Sequence, residues 1–528
     1  MSGGFAAVFR ALISRRPPKM SRMVPKLSSE VPKSLKHVSD MVIPRLMTGP
    51  RSFEFGVPLP LPSGPRMLFV KLSNHLGDEA ALASALSLKG VAGTKPCALC
   101  ANIVRKGFGL LAEGTGLQEI TCVDEDLLVL HDDDSVCREY DRLQDLAHAG
   151  RQADLQRRQK ASGFVLNLGS LMGDHRLRRV LPPVSTLTYD WMHTYLSNGV
   201  ASQEMHAFFD SCRVNGMRDA FALMERFCRA RWSFPKQFRK QGFRTHEMFC
   251  EARARSSKDH WRSGASELLS AYPLVRHFAE TVALPTYPGL LPQVESLRGC
   301  CRVVDLLQDA KSSVEDTLPG RLRNAIRTHL EAHRRAFGGE AWKPKMHYAL
   351  HLPTQIARDR MVLDCFAVER AHLLPKAVSE AIHNTSSFEK SVIARTVGSR
   401  LRSLRDADDF EEVRLLEERP ASSLAGVLRG RAPYLAAEAD FCGLFLSAGD
   451  FVFLDGLAMV LSGIGRDDEG FFLLGQLATE SRRHSRAAAE WRIEQESSLA
   501  LVAGKRVRRA HVWCTQASGL LLVLQPDL

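Results

Sequence analysis

The chain has 528 residues, more than one ordinary hydrophobic core accommodates, so two to four domains are expected. With 45% hydrophobic and 25% charged residues, the composition is that of a folded globular protein and excludes wholesale disorder. The 71 Lys and Arg exceed the 59 Asp and Glu and give a net charge of +12, which favours a polyanionic partner such as DNA.

Cysteine content and the length of apolar runs further restrict the class of protein. Twelve cysteines in a chain of this length are too sparse for the disulfide framework of a small secreted domain, so a reducing compartment is expected. No apolar run approaches the roughly 20 residues needed to cross a bilayer. No membrane partner is therefore predicted.

The first 60 residues are basic and rich in Pro and Ser, and they predict an N-terminal arm. Every charged residue before Glu30 is basic, and Phe5, Phe9 and Leu12 fall on one helical face. Two interpretations remain open. The segment is either a basic amphipathic helix beside a DNA-binding domain, in a nuclear protein, or the presequence of a mitochondrial protein.

The next three segments differ in hydrophobic periodicity. Residues 61–185 mix short apolar runs with helical stretches, which indicates an α/β arrangement. Residues 186–335 hold long stretches with a period near 3.6 and predict a helical block. Residues 336–405 return to a compact strand and helix.

The C-terminal part changes character twice. Residues 406–435 are highly charged and predict a helical linker. Residues 436–528 contain short β-like runs divided by Gly and Asp, which predict a small β-barrel of the SH3-like type. The predicted fold class is therefore α+β and predominantly helical.

The first motif is LGDEAALASALSLKGVAGTKPCALC. Asp78 follows an apolar run and opens a predicted helix, where a carboxylate caps free backbone amides, and this alone explains its presence. Cys97 and Cys100 have the spacing of a zinc knuckle, although no second Cys-x-x-Cys pair exists in the chain.

Two further stretches place potential metal ligands at helical spacing. Asp190 and His193 lie three apart, which suits either metal ligation or an ordinary buried hydrogen bond between carboxylate and imidazole. His347 and His351 lie four apart and would meet on one helical face, as zinc ligands do.

A single acid interrupts the apolar run CFAVERAHLL. Burying Glu369 is costly unless the carboxylate is paired or holds a metal. Arg370 and His372 are close enough in sequence for a structural ion pair, so both interpretations stay open.

Taken in order, these motifs resemble the core of CACTA (En/Spm-like) DNA transposases, in particular divergent copies from protist genomes, over roughly residues 65–400. The resemblance implies an RNase H-like core, here at 61–185 and 336–405 and interrupted by the helical block as an insertion. In such a core three carboxylates hold two divalent cations, Mg²⁺ or Mn²⁺, for DNA strand cleavage and transfer.

The resemblance also implies roles for individual residues. Asp78 would be the second catalytic acid and Glu369 the third, so the two carboxylates should meet. No segment before Asp78 matches the first acid, and we expect a copy truncated within the core, with its catalytic competence left open. Structural Zn²⁺ is expected on Cys97 and Cys100, with two further ligands from among Asp190, His193, His347 and His351.

The stretch FCRARWSFPKQFRKQGFR interleaves basic and aromatic residues without an acid. Basic side chains neutralise phosphates and aromatic faces stack on unpaired bases, so a DNA contact surface is predicted, with an amphipathic structural helix as the alternative. The candidate DNA-binding residues are Arg229, Arg231, Trp232, Lys236, Arg239, Lys240 and Arg244. A second basic cluster is assigned to the solvated face of a helix and comprises Arg321, Arg323, Arg327, His329, His333, Arg334 and Arg335.

These observations favour a transposase-derived DNA-binding protein, enzymatic by ancestry, for which a homo-oligomer is a further possible assembly. The rival hypothesis is a non-enzymatic helical interaction or scaffold protein in which every motif is structural.

Overall fold

The computed structural model describes most of the chain from residue 46 onward. The described residues are 46–49, 52–59, 64–105, 115–217, 219–229, 232–234, 260–311, 313–382, 388–403, 413–421, 433–441, 444–454, 457–467, 470–494, 500–503, 507 and 510–526. Most of the predicted N-terminal arm lies outside them.

Helices dominate the segment between residues 130 and 403. In chain order they are α1 Glu79–Ala85, α2 Asp133–His148, α3 Gln152–Ser162, α4 His175–Val180, α5 Val200–Val214, α6 Ala220–Arg229, α7 Ala265–Phe278, α8 Leu284–Thr286, α9 Leu291–Asp309, α10 Leu318–Phe337, α11 Pro344–Ala349, α12 Leu352–Asp359, α13 Phe366–Glu380 and α14 Phe388–Ser403. Short π-helical turns occupy Met192–Leu196 and Ala279–Ala283.

Strands occur early in the chain and again at its C-terminal end. They are β1 Val57–Leu59, β2 Arg66–Leu68, β3 His75–Gly77, β4 Ile103–Val104, β5 Gln118–Glu119, β6 Leu187–Tyr189, β7 Trp232–Ser233, β8 Val413–Leu416, β9 Arg419–Pro420, β10 Tyr434–Ala436, β11 Glu438–Phe441, β12 Leu444–Ser447, β13 Phe451–Leu454, β14 Leu457–Asp467, β15 Gly470–Ser485, β16 Ala488–Ile493, β17 Ala500–Ala503, β18 Ala510–Thr515 and β19 Leu521–Leu524. The protein is thus mixed α+β with a large sheet.

The chain folds into two compact units that interleave in sequence. Unit 1 consists of 1–194, 339–359 and 363–380, and unit 2 consists of 195–338, 360–362 and 381–528. The chain therefore leaves unit 1 after Thr194 and returns at Gly339, whereas the helical insertion was predicted at 186–335.

In unit 1, two buried parallel strands bring distant motifs to one edge. β3 pairs with β6 in a register that sets Gly77 opposite Tyr189. The carboxyl ends of parallel strands meet at the same edge, so Asp78 and Asp190, the next residues, follow neighbouring strands. Two short pairs, β1 with β2 and β4 with β5, complete the described strands of this unit.

The helical part of unit 2 is built around α5, α9 and α10. Phe208 and Phe209 of α5 are fully buried, and Gly299 of α9 faces the backbone of α10, where a Cβ atom would lie 3.1 Å from the Cα atom of His329. A glycine at this point lets the two helices approach closely.

Ten of the described strands form an antiparallel sheet that returns on itself, and β8, β11 and β12 form a separate three-stranded antiparallel sheet. β15 pairs with β16 and also with β14, and the path through β19, β18 and β13 closes a ring of six strands. The strands of this ring are longer than expected for the predicted small SH3-like barrel, since β14 has 11 residues and β15 has 16. Alternate residues of β13 enter two cores, Phe451 on one face and Val452 on the other.

The predicted helical linker at 406–435 is wrong where the structure describes it. Residues 413–416 and 419–420 are the strands β8 and β9, which pair with β11 and β10. Charge density suggested a solvated helix, but Leu415 packs on the core of the sheet. Tertiary packing therefore overrides the local pattern.

In the described part of the chain, no helix is both long and apolar enough to cross a membrane.

Candidate metal centre

Four predicted ligands from two distant segments meet in unit 1. Cys97 and Cys100 lie in the loop between a 3₁₀ turn at Gly90–Ala92 and β4. His347 lies on α11, and His351 directly precedes α12. The ligand atoms of all four residues lie within 4.8 Å of one another, and the group could bind a metal such as zinc.

The distances suit a tetrahedral ion. Nε2 of His351 lies 3.3 Å from Sγ of Cys97 and 3.5 Å from Sγ of Cys100. Tetrahedral zinc with ordinary bond lengths separates a thiolate sulfur from an imidazole nitrogen by about 3.6 Å. The thiols and imidazole therefore already stand near the positions that zinc requires.

The polar atoms of this cluster are buried, and burying a polar atom without a hydrogen bond or a bound metal destabilises the fold. Cys100 and His347 are 0% exposed. Neither ring nitrogen of His347 has a hydrogen-bond partner among the described residues. A buried polar group left without one costs about 1–3 kcal/mol, and a metal ion bound to one nitrogen would offset part of that cost.

The electrostatics favour a thiolate at Cys97. Burial acts to raise the pKa of its thiol, but the hydrogen bond with Cys100 and the charges of His351 and His347 hold that pKa well below its usual range. The backbone N–H of Leu99 also donates to Sγ of Cys97 at 3.4 Å. Thiolate is the form that binds zinc.

Two tyrosines pack around the cluster and fix its geometry. Tyr189 accepts a hydrogen bond from the Ala98 N–H at 3.2 Å and stacks on Tyr348 with 4.5 Å between ring centres. Tyr348 donates to the carbonyl oxygen of Pro96 at 2.9 Å. Because Tyr189 ends β6 and Tyr348 lies on α11, these contacts tie the cysteine loop to both elements.

Asp190 and His193 lie in a different cluster, with Cys365. Oδ1 of Asp190 accepts from the N–H groups of Met192 at 3.0 Å and Cys365 at 3.1 Å. Oδ2 accepts from the His193 N–H and from its Nδ1. Both oxygens of this buried carboxylate are therefore occupied, and it joins the end of β6 to the residue that precedes α13.

Asp78 caps a helix, as the simpler interpretation of its motif predicts. Its Oδ1 accepts from the Ala81 N–H at 2.6 Å, at the start of α1. Burial lowers the pKa of the Lys345 ammonium, and the nearby charges of Glu79, Asp78 and Asp190 offset only part of that effect. Oε1 of Glu79 is engaged by the Val91 N–H at 2.9 Å.

The described carboxylates around Asp78 do not by themselves fit a site for two divalent cations. Those of Asp190 and Glu79 already accept hydrogen bonds, and the positive charge of Lys345 stands among them. Glu369 lies in the first turns of α13, but its side chain falls outside the described residues. The described carboxylates therefore support no catalytic step at the carboxyl ends of β3 and β6.

The predicted DNA-binding residues are only partly described. Arg229 is exposed at the end of α6 and pairs with Glu225 at 2.5 Å. Trp232 contacts Phe227 and His277 with its ring, as the structural alternative expects of an aromatic residue, but it lies in the strand β7 and not in the helix of that alternative. The remaining five, Arg231, Lys236, Arg239, Lys240 and Arg244, lie outside the described residues.

The second basic cluster was assigned to a solvated helix face, and for two residues this is wrong. His329 and His333 of α10 are 0% and 1% exposed, whereas Arg321, Arg323 and Arg327 are exposed. His329 and His333 are four residues apart and continue the apolar face formed by Leu322, Ile326 and Leu330. That periodicity is the sequence signal for the buried side of α10.

Comparison with known proteins gives no relative from which to transfer a function: no family model, no curated protein and no solved structure matches the chain.

Proposed function

We propose that the chain is a transposase-derived DNA-binding protein whose unit 1 is held together by structural zinc on Cys97, Cys100, His347 and His351. The observation that carries the zinc assignment is the meeting of four buried ligands from segments about 250 residues apart, where the ring nitrogens of His347 have no hydrogen-bond partner among the described residues.

The transposase ancestry is supported by the proximity of the motif residues to one another in unit 1. Asp78 and Asp190 follow adjacent parallel strands, Lys345 on α11 lies near both, and Asp190 is hydrogen-bonded to the residue before α13. An RNase H-like core, with Asp78 and Glu369 as remnants of its acidic site, is the architecture we infer for unit 1.

A loss of catalytic competence is part of the proposal. Mg²⁺ or Mn²⁺ would require open carboxylate oxygens, whereas both oxygens of Asp190 and one oxygen each of Asp78 and Glu79 already accept hydrogen bonds. The same engagement favours a second candidate, a non-enzymatic scaffold protein. The two candidates differ in whether the basic surface binds DNA.

Asp78→Ser separates the capping role of this residue from a catalytic one. Serine caps a helix about as well as aspartate, so the variant should keep wild-type stability, whereas Asp78→Ala should lose about 1 kcal/mol. We expect neither the wild type nor Asp78→Ser to nick supercoiled plasmid in Mg²⁺ or Mn²⁺ above background. Strong nicking by the wild type that Asp78→Ser abolishes would instead establish an active centre and overturn the proposed loss of competence.

DNA binding should depend steeply on salt. If the stretch at 227–244 neutralises about six phosphates, the logarithm of duplex affinity should fall with the logarithm of salt concentration with a slope of about −5. Replacing Arg239, Lys240 and Arg244 with Gln should flatten this slope by roughly one for each basic side chain that no longer reaches a phosphate. Fluorescence anisotropy with a labelled duplex, measured over a range of salt concentrations, gives the slope.

The matched control is the triple Gln variant of Arg321, Arg323 and Arg327. It removes the same net charge from an exposed face of α10, where Arg321 pairs with Glu315 and Arg327 pairs with Glu331. Equal slopes for the two triple variants would mean that net charge alone drives binding. No duplex binding by the wild type would favour the scaffold candidate.

A further inference from the structure

A third cluster of potential metal ligands lies in unit 2, on residues that belong to none of the transposase-like motifs. Glu204 lies on α5, and His329 and His333 lie one helical turn apart on α10. All three side chains are 0–1% exposed, and their ligand atoms lie within 4.8 Å of one another.

Helix packing holds these side chains in a fixed arrangement. Residues four apart share a face of a helix, so both imidazoles of α10 point the same way. Gly299 of α9 lets the α10 backbone approach closely at His329, because any larger side chain would crowd that residue. The site is thus built by three packed helices rather than by a surface loop.

Both imidazoles converge on one carboxylate oxygen. Oε2 of Glu204 lies 3.3 Å from Nε2 of His329 and 2.6 Å from Nδ1 of His333. Oε1 of the same carboxylate is buried and has no hydrogen-bond partner among the described residues. Hydrogen bonding within the cluster therefore satisfies only half of the carboxylate.

The Glu204 carboxylate is fully buried, at 0% exposure. A buried carboxylate is retained only when it is paired, hydrogen-bonded or coordinated to a metal, and one of its two oxygens has none of these partners among the described residues.

We propose that Glu204, His329 and His333 form a second metal site, for a divalent first-row transition ion with zinc as the expected occupant. Two imidazole nitrogens and one carboxylate oxygen form a ligand set typical of zinc, whereas Mg²⁺ and Ca²⁺ prefer oxygen ligands alone. Oε1 of Glu204 or a water molecule supplies the fourth ligand.

The geometry needs only a small adjustment to accept the ion. Tetrahedral zinc separates ligating nitrogen and oxygen atoms by about 3.4 Å, close to the 3.3 Å between His329 and Glu204. The ion would widen the contact between His333 and Glu204 and would use Oε1. Because the ligands are buried, the ion has a structural role: it fastens α5 to α10.

Metal content of the purified full-length chain tests the site. We expect about two zinc ions per chain in the wild type and about one in His329→Asn/His333→Asn and in Glu204→Gln. His484→Asn is the matched control, because it removes a half-exposed histidine paired with Glu490 at 3.0 Å and should leave metal content unchanged.

Cobalt substitution distinguishes the two sites without relying on variants of the second one. Cys97→Ser/Cys100→Ser protein should still bind about one Co²⁺, with ligand-field absorption but no thiolate charge-transfer band. A wild type that binds only one metal ion, all of it on thiolates, would overturn the proposal. Loss of folding in the histidine variants would not affect this readout.

Discussion

Cys97→Ser/Cys100→Ser is expected to lose about one zinc ion per chain and to unfold much of unit 1. Zinc binding contributes about 10–16 kcal/mol to small zinc-dependent folds, as much as the roughly 5–15 kcal/mol net stability of an ordinary domain. Unit 1 also has a buried core of its own, so a loss of several kcal/mol is the expected outcome. Metal analysis together with amide hydrogen exchange of residues 97–104 and 344–351 measures both effects.

The control for this variant is Cys122→Ser/Cys137→Ser. It removes the same number of thiols from unit 1 at partly exposed positions that belong to no ligand cluster of the described residues. Its zinc content and exchange should match the wild type. Retention of all zinc by the Cys97 and Cys100 variant would show that the metal, if bound, uses other ligands.

Sequence spacing was informative where ligands are close along the chain. The Cys97 and Cys100 pair and the His347 and His351 pair could each be recognised, because spacings of three and four keep their members close along the chain. The prediction of one shared helical face for the two histidines is wrong, since α11 ends at Ala349 and His351 lies in the turn before α12. Which pair joins which could not be predicted. That choice depends on how α11 packs against the cysteine loop, through contacts such as the stacking of Tyr189 on Tyr348.

The cluster of Glu204, His329 and His333 shows that a local charge pattern does not predict burial. His329 and His333 stand among arginines, and local composition suggested a solvated face. Their environment is set by Glu204, 125 and 129 positions away, and by the small side chain of Gly299. A sequence alone carries no signal for a partner at that separation. The strands β8 and β9 were missed for the same reason, because their pairing partners come later in the chain.

Asp190→Ala is expected to be the most destabilising single substitution among the motif residues outside the zinc cluster. It removes a carboxylate that is 1% exposed and leaves the N–H groups of Met192, His193 and Cys365 without this acceptor. Removing one partner from a buried network of this kind costs about 3–5 kcal/mol. Since a chain with two units need not unfold in one step, urea titration should be read with hydrogen exchange in unit 1.

Asp190→Asn should have an intermediate effect on stability. Its amide oxygen still accepts hydrogen bonds from Met192 and Cys365, whereas its NH₂ group cannot accept from His193. We expect a loss near half that of Asp190→Ala, with α13 still protected from exchange. Asp126→Ala, an exposed acid in the same unit, should change stability by no more than about 0.5 kcal/mol. If Asp190→Ala were as mild as this control, the carboxylate would not hold α13 against β6. Positioning of the helix that carries Glu369 would then depend on other contacts, such as that of Trp191 with Phe366 at 6.1 Å.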